Sequence, residues 1–345
     1  MSSLSVIIVT HDSRAAIAPT LAALAAQLRD GDQLIVVDNA SSDGTPGAVR
    51  ELVPSAVVIE AGANLGFAAG CNRGAEAASG ELLCLLNPDA VPQPGWREAI
   101  ELPHGDGRGW AAWQALVTAA GGREINSRGG VLHFTGIGWA GGAGEPLEGL
   151  PASEPVALER PGFVSGACLV IGRDLFGALG AMPEQFFLYH EDVDLSLRVR
   201  LAGGELGVEP AARVDHSYEF EKGAYKWRYL ERNRWATLIR AYPAALLLLL
   251  APALLATELA LVVVAAAGGW LPQKLRAWGE TIACLPRLLA ERRRIQAART
   301  IGAGEFAAGL SASLGSAYLG RAGRSRALDA ALRAYWAVVR ALLRD

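Results

Sequence analysis

The sequence predicts an α/β protein, a mostly parallel sheet flanked by helices, followed by a helical C-terminal region that associates with a membrane. Three observations carry that expectation. Apolar runs of strand length alternate with helical patterns through the first hundred residues, acidic residues stand where several of those runs end, and Ala244–Gly268 is apolar almost throughout. Continuous apolar strands separated by helices indicate a parallel sheet covered on both faces, because each strand is then buried on two sides.

The elements follow in order. Leu4–Val9 is apolar and β-branched, Ile17–Leu28 repeats apolar residues at helical spacing, and Leu34–Val37 reads as a second strand. A helix begins near Thr45, Ala56–Ile59 is a third strand, Gly66–Ala78 a third helix and Leu82–Leu86 a fourth strand. After Pro103 the pattern loosens into Gly-rich sequence, with short strands expected at Trp110–Val117, Val131–Thr135, Phe163–Ile171 and Ala211–Val214. A helix starts at Glu191 and stops at Gly203-Gly204, a normal C-terminal signal. Lys226–Tyr242 and Leu328–Leu343 read as amphipathic helices. The expected organisation is a catalytic-type α/β domain over 1–242, an apolar membrane-associating segment over 243–270 and a basic helical region over 271–345.

Charge is distributed unevenly. The net charge is -3, but from Leu271 onward there are 13 Lys+Arg and 5 Asp+Glu, a net of +8, which leaves -11 for the first 270 residues. The overall balance argues against nucleic acid as the main partner. An acidic body with a basic tail after an apolar segment fits attachment to a membrane surface. Basic residues flank Ala244–Gly268 on both sides, so the segment is expected to form a bent hairpin dipping into one leaflet, with Pro252 near the bend, or an interfacial helix, on the cytoplasmic face of the cell membrane. A true span and a buried soluble helix are the other two readings. The four cysteines show no paired spacing and are expected to be reduced, and no secretory signal is expected at the N-terminus.

Five places carry candidate chemistry. His190-Glu191-Asp192-Val193-Asp194-Leu195 crowds three carboxylates into the first turn of a helix, which favourable macrodipole interaction also explains. Asn87-Pro88-Asp89-Ala90 follows a buried strand, where an open α/β sheet places its ligand chemistry. Asp38-Asn39-Ala40-Ser41-Ser42-Asp43-Gly44-Thr45 sits at another strand end, beside Thr10-His11, and reads either as a plain turn or as a base- or ribose-binding carboxylate. Asn64-Leu65-Gly66 opens a helix with glycines at i, i+4 and i+8 for close packing, while Arg73 offers a guanidinium for a diphosphate. Asp89 and His216 are an oxygen and a nitrogen donor suited to Mg²⁺ or Mn²⁺, although a lone histidine at a strand end is also a common structural residue. Gly136-Ile137-Gly138-Trp139-Ala140-Gly141 matches a dinucleotide fingerprint in letters only, since no helix follows it.

Taken together, these stretches resemble the inverting family 2 glycosyltransferases, whose fold is GT-A, and within them the rhamnosyltransferase-like branch acting on lipid-linked glycans. The resemblance runs from about Ser5 to Pro243. It rests on Ser5–Thr10, Val37–Gly44, Asn64–Gly70, Leu86–Ala90, Val164–Ala167 and Phe187–Leu195, taken in order. It implies that Thr10, Asp38, Asn64, Arg73 and Asn87 bind the nucleotide sugar, and that Asp89 and His216 hold a divalent metal, Mg or Mn. It also implies that Asp192 is the general base with Glu191 beside it, and that Ser165, Gly166 and Asp194 face the acceptor. Asn87 replaces the first acid of the family's metal element. Glu231-x-x-Arg234-Trp235 is a near-miss for a processive-synthase motif, so processivity is not expected. The implied reaction moves one sugar, from dTDP-L-rhamnose or alternatively a UDP-hexose, to a polyprenyl-linked or other cell-envelope glycan. A catalytically silent, membrane-anchored nucleotide-sugar or glycan-binding module is the rival outside enzymes.

Overall fold

The computed structural model describes residues 2–148, 156–158, 160–216, 223–315 and 325–343. They group into two compact units. The first comprises residues 1–129, 140–196 and 204–218, and the second 130–139, 197–203 and 219–345. The Arg-rich helix near residue 230, counted above with the α/β domain, therefore groups with the C-terminal region.

The first unit opens with β1 (Leu4–Thr10), α1 (Arg14–Ala25), β2 (Gln33–Asp38), α2 (Thr45–Leu52), β3 (Val57–Glu60), α3 (Gly66–Ala77) and β4 (Leu82–Leu86). β5 (Ala90–Pro92), α4 (Trp96–Gly105), β6 (Trp110–Ala119) and β7 (Glu124–Ser127) come next; the small β8 (Gly130–Leu132) and β9 (Gly138–Ala140), which pair with each other, fall in the second unit but for Ala140. β10 (Cys168–Gly172), α5 (Arg173–Ala178), the first half of α6 (Glu191–Leu201, of which residues from Leu197 group with the second unit) and β11 (Glu205–His216) complete it. Among the described residues the main sheet runs β3-β2-β1-β4-β10-β6-β11-β5, with β7 beside β6.

β1 pairs in parallel with β2 and β4, β2 with β3, and β6 with β11, whereas β10 lies antiparallel between β4 and β6. Two reversals restore the direction, so β1, β2, β4, β6 and β11 all end at one edge. The core is the apolar side chains of these strands packed with Ile17, Leu21 and Leu24 of α1 and Trp96 and Ile100 of α4. Gly70 and Gly74 of α3 face β1 so closely that a Cβ would lie 2.6 Å from Val9 and 2.3 Å from Ile7. The glycine spacing read from sequence is thus a packing surface. Cys71, Cys84 and Cys168 are buried free thiols, and Cys284 is free and exposed.

Two expected strands are shorter than the apolar pattern suggested. Of Phe163–Ile171 only the second half joins the sheet. Upstream, side chains take the backbone donors: Val164 N–H bonds Ser196 Oγ, Ser165 N–H bonds Gln114 Oε1 and Gly166 N–H bonds Asp192 Oδ2. The strand near Val131–Thr135 ends at Leu132, where His133 and Gly136 close a turn through Ile137 O and His133 O.

The second unit is helical: α7 (Tyr225–Ala241), α8 (Ala244–Ala267), α9 (Leu271–Ala283), α10 (Leu285–Ala297), α11 (Ala303–Ala308) and α12 (Arg326–Leu342). Rings stack at Phe134–Trp336 and Trp227–Trp270, and Tyr242 meets Phe306 edge-on. The expected bend at Pro252 does not occur. α8 runs unbroken through it, and the chain turns at Gly268-Gly269 instead. Pro252 removes one backbone donor at an exposed position, where the freed carbonyl can meet solvent.

Candidate active site

Every strand end predicted to carry chemistry lies on the same sheet edge. Thr10 and Asp38 are register partners at the ends of β1 and β2. Asp38 is buried, and its carboxylate accepts hydrogen bonds from Thr10 Oγ1 (2.9 Å), Ser41 N–H (2.9 Å) and Ser41 Oγ (2.6 Å). A carboxylate in so dry a place requires such donors. The following loop is held by Asp12, whose Oδ1 accepts from Ser42 N–H at 2.7 Å, and by His11 Nδ1, 2.9 Å from Asn39 O. The turn reading of this stretch is met: Asp43 Oδ1 accepts from Thr45 N–H at 3.0 Å where α2 begins.

Two strands along, β4 ends and Asn87 N–H bonds Ala167 O. β5 pairs antiparallel with β11, which sets Ala90 opposite His216 and so brings Asp89 to the histidine. His216 Nε2 lies 3.1 Å from Asp89 Oδ1 and 3.4 Å from Asn87 Nδ2. Asn126 Nδ2 donates to His216 O. Two donors at right angles about an ion with bonds of ~2.1 Å stand ~3 Å apart. The Asp89–His216 spacing fits that geometry, and the 35%-exposed Asp89 side chain leaves it open to solvent. No cluster of three or more His, Cys, Asp or Glu suited to a metal occurs among the described residues, so an ion here would complete its shell from substrate oxygens and water.

The acidic pair is presented by a strained turn. Phe187, Tyr189 and His190 all have positive φ, near 62°, 70° and 68°. Such conformations persist only where the surroundings hold them. Here Phe187 O accepts hydrogen bonds from Phe67 and Ala68 N–H (2.7 and 3.4 Å), donors that the first turn of α3 leaves unpaired. Gly66, at φ +82°, makes room: a Cβ there would sit 2.5 Å from Phe187 O and its ring. Asn39 Nδ2 donates to Gly66 O, which links the loop after β2 to the same point.

From this turn α6 begins with Glu191 and Asp192. Asp192 is half-buried and accepts hydrogen bonds from Gly166 N–H at 3.0 Å and Val193 N–H at 2.7 Å. Burial raises its proton affinity, and those two N–H groups partly oppose the rise. Glu191 is buried with Oε2 unbonded among the described residues. Burial first, and the adjacent Asp192 charge second, push its carboxyl well above the usual range. The pair is therefore poised to carry one negative charge rather than two.

The structure does not bring every predicted residue to this edge. Arg73 is exposed and unpaired among the described residues, one position before Gly74, which packs on Ile7 deep in β1. It stands at an exposed position of α3, three residues past Gly70, which packs on Val9 near the end of β1. Asn64 lies one residue ahead of Leu65, the N-cap of α3, and its Oδ1 accepts from Gly66 N–H at 3.0 Å. Asp194 is fully buried in α6 and offers no surface to an acceptor; Gly166, beside Asp192, is buried as well, and of the three only Ser165 is partly exposed. Sequence reading passed over Gln114, the buried side chain that holds the Ser165 loop. A lone amide inside an otherwise apolar strand was the available signal.

Residues 5–114 match the family described as glycosyl transferase family 2. The N-acetylglucosaminyl-diphospho-decaprenol L-rhamnosyltransferase of Mycobacterium tuberculosis is 29% identical over 257 residues, covering 68% of this chain and 83% of that protein. Among solved structures, the mannosyltransferase PcManGT from Pyrobaculum calidifontis, in complex with GDP-Man and Mn²⁺, aligns with a TM-score of 0.52 and 20% identity over 86% of each chain. GalNAc-T7 with UDP, GalNAc and Mn²⁺ aligns with a TM-score of 0.56 and 16% identity over 70% of this chain, which spans about half (48%) of that one. These two likenesses establish a fold of the GT-A type.

Proposed function

This chain carries a family 2 glycosyltransferase domain, and from that premise we propose that it is an inverting, metal-dependent transferase. It moves one L-rhamnose from its dTDP form to a polyprenyl-diphosphate-linked glycan at the cytoplasmic face of the membrane. The observation that carries the proposal is the convergence of Thr10–Asp38, Asp89–His216 and Gly166–Asp192 on one sheet edge. The mycobacterial relative, named for L-rhamnosyl transfer to a decaprenol-linked sugar, supports the choice of donor and acceptor.

Asp192 takes the proton from the acceptor hydroxyl as that oxygen bonds the sugar's anomeric carbon. The bond from that carbon to the diphosphate breaks, and the nucleoside diphosphate leaves on the opposite side. A base whose proton affinity is raised by burial is better matched to this task than an ordinary carboxylate. Gly166 N–H fixes its orientation, and a protonated Glu191 spares it a second negative neighbour. Thr10 and Asp38 line the nucleotide end, and the Ser165-Gly166 loop lines the acceptor side. Asp89 and His216 would hold the divalent ion, which when bound neutralises charge on the leaving diphosphate.

The test is a panel of dTDP-L-rhamnose, UDP-glucose, UDP-N-acetylglucosamine and GDP-mannose, each offered with and without polyprenyl-diphospho-N-acetylglucosamine. Acceptor-stimulated release of dTDP from the rhamnose donor is expected. Faster turnover of a UDP-hexose would replace the donor assignment, and turnover of none would favour a binding module.

A further inference from the structure

The second unit leaves a large apolar surface uncovered. Of the sixteen large hydrophobic side chains exposed among the described residues, thirteen lie beyond residue 224. On α8 the two faces separate cleanly. Leu246, Leu250, Leu254 and Glu258 repeat every four residues and are buried, whereas Leu248, Leu255, Leu259 and Val263 are 77, 64, 63 and 68% exposed. Only 17% of the helix's most apolar window is buried, so α8 is not the core helix of a soluble fold.

Glu258 decides how this surface is used. It lies past the midpoint of α8 and points away from the exposed stripe. Its carboxylate accepts hydrogen bonds from Arg234 of α7, from Lys274 Nζ at 3.0 Å and from Trp278 Nε1 at 2.8 Å, the last two on α9. Glu231 closes the network, with Lys274 Nζ at 2.5 Å and Arg234 Nη2 at 3.2 Å. The near-miss motif Glu231-x-x-Arg234 is thereby accounted for as half of a buried ion cluster. α7 also carries Arg228 and Arg232, which reach Glu280 of α9. A helix clamped near its middle to two charged helices cannot cross a bilayer without drawing them into the hydrocarbon.

We propose that α8 lies in the plane of one leaflet of an anionic bilayer, with its Leu248–Val263 stripe among the acyl chains and its Glu258 side clamped to α7 and α9. Charge complementarity selects the partner. Exposed Arg276 follows exposed Leu275 on α9, and exposed Arg293 lies one turn beyond exposed Leu289 on α10, so cations accompany the exposed apolar side chains of these helices. Residues from 271 onward carry the net +8 noted above. Exposed apolar side chains accompanied by exposed arginines are suited to anionic headgroups over acyl chains. This proposal rests on the lipid-linked acceptor for its purpose, but its test does not require turnover.

The experiment uses the full chain with Cys284→Ser, whose remaining cysteines are buried. Leu248→Cys, Leu255→Cys, Leu259→Cys and Val263→Cys are made singly, labelled with a fluorophore and bound to phosphatidylcholine vesicles containing phosphatidylglycerol. Lipids carrying quenchers at shallow and deep acyl positions then report depth. The first and last positions are ~22 Å apart along the helix, yet all four should give one shallow depth. A graded profile, deepest near Leu255 with the ends in opposite leaflets, would overturn the proposal in favour of a span. Quenching by no lipid, with dimerisation that rises with concentration, would assign the face to a second copy. Leu255→Glu combined with Leu259→Glu should weaken vesicle binding by about tenfold or more and leave donor hydrolysis unchanged. Vesicle binding at the parent level would contradict the surface assigned. Absent hydrolysis in the parent would count against the proposed function alone, since the depth profile is read independently.

Discussion

Gly66→Ala tests whether the acidic turn is held in place by backbone geometry. The glycine has φ +82°, and its missing Cβ would stand 2.5 Å from Phe187 O and from the Phe187 ring. An alanine in the left-handed region costs about 1–2 kcal/mol. Forcing a methyl into a filled site adds about 1–3 kcal/mol, and it meets both the Phe187 ring and the Phe187 carbonyl oxygen, a backbone atom that cannot rotate away. The expected loss is therefore about 2–5 kcal/mol, together with displacement of the Phe187–His190 turn that presents Asp192. Gly74→Ala is the control. Its methyl meets only the Ile7 side chain, far from the turn, so it should cost stability without altering the rate per folded molecule. Urea unfolding and sugar transfer, measured on both variants, separate the two effects. A Gly66→Ala variant with the parent's stability and rate would refute the reasoning, as would equal loss of specific activity in Gly74→Ala.

Other outcomes follow from the same geometry. Asp89→Ala should abolish metal-stimulated transfer and weaken donor binding, with His216→Ala acting in the same direction more mildly; calorimetry with Mn²⁺ and nucleotide reads both, and full activity in excess chelator would remove the ion from the account. Glu191, whose proton affinity is raised in the folded chain, contributes fully to stability below the ordinary carboxylate range, and that contribution is lost as pH climbs through its raised value. Glu191→Gln should therefore become progressively more stable relative to the parent, by about 1.4 kcal/mol per pH unit across that window, in urea titrations at several pH values; a gap that narrows with rising pH would show that Glu191 is not buried against its charge.

Much of the sheet was legible because parallel strands buried on both faces leave an unbroken apolar record. β1, β2 and β4 and the helices between them fall within a few residues of expectation. The site was legible where a strand end fixes a side chain, as at Thr10, Asp38 and Asp89, since topology alone then decides who meets whom. It was not legible where side chains replace sheet bonding. The apolar letters of Phe163–Ala167 suggest a strand, but Gln114, Asp192 and Ser196 take its N–H groups, and those partners are distant in sequence. Arg73 was assigned from its charge, whereas the neighbouring glycines, which pack α3 on β1, turn that position outward. Asp194 shares a motif with Asp192, yet lies two positions on around the helix and is buried. Pro252 suggested a bend, but an exposed proline can be carried within a long helix whose other face is well packed.

The central claim is that Asp192 is the base of sugar transfer, and Asp192→Asn tests it most directly. The amide keeps the shape and can still accept the Gly166 N–H through its carbonyl oxygen, so donor affinity should remain close to that of the parent. Transfer should fall by about 10²–10⁴-fold, the usual contribution of a positioned base. Measuring nucleotide-sugar affinity and transfer rate on one preparation gives both numbers. Retained binding with the rate lost is the predicted result. A rate within tenfold of the parent would contradict the account and move the role to Glu191.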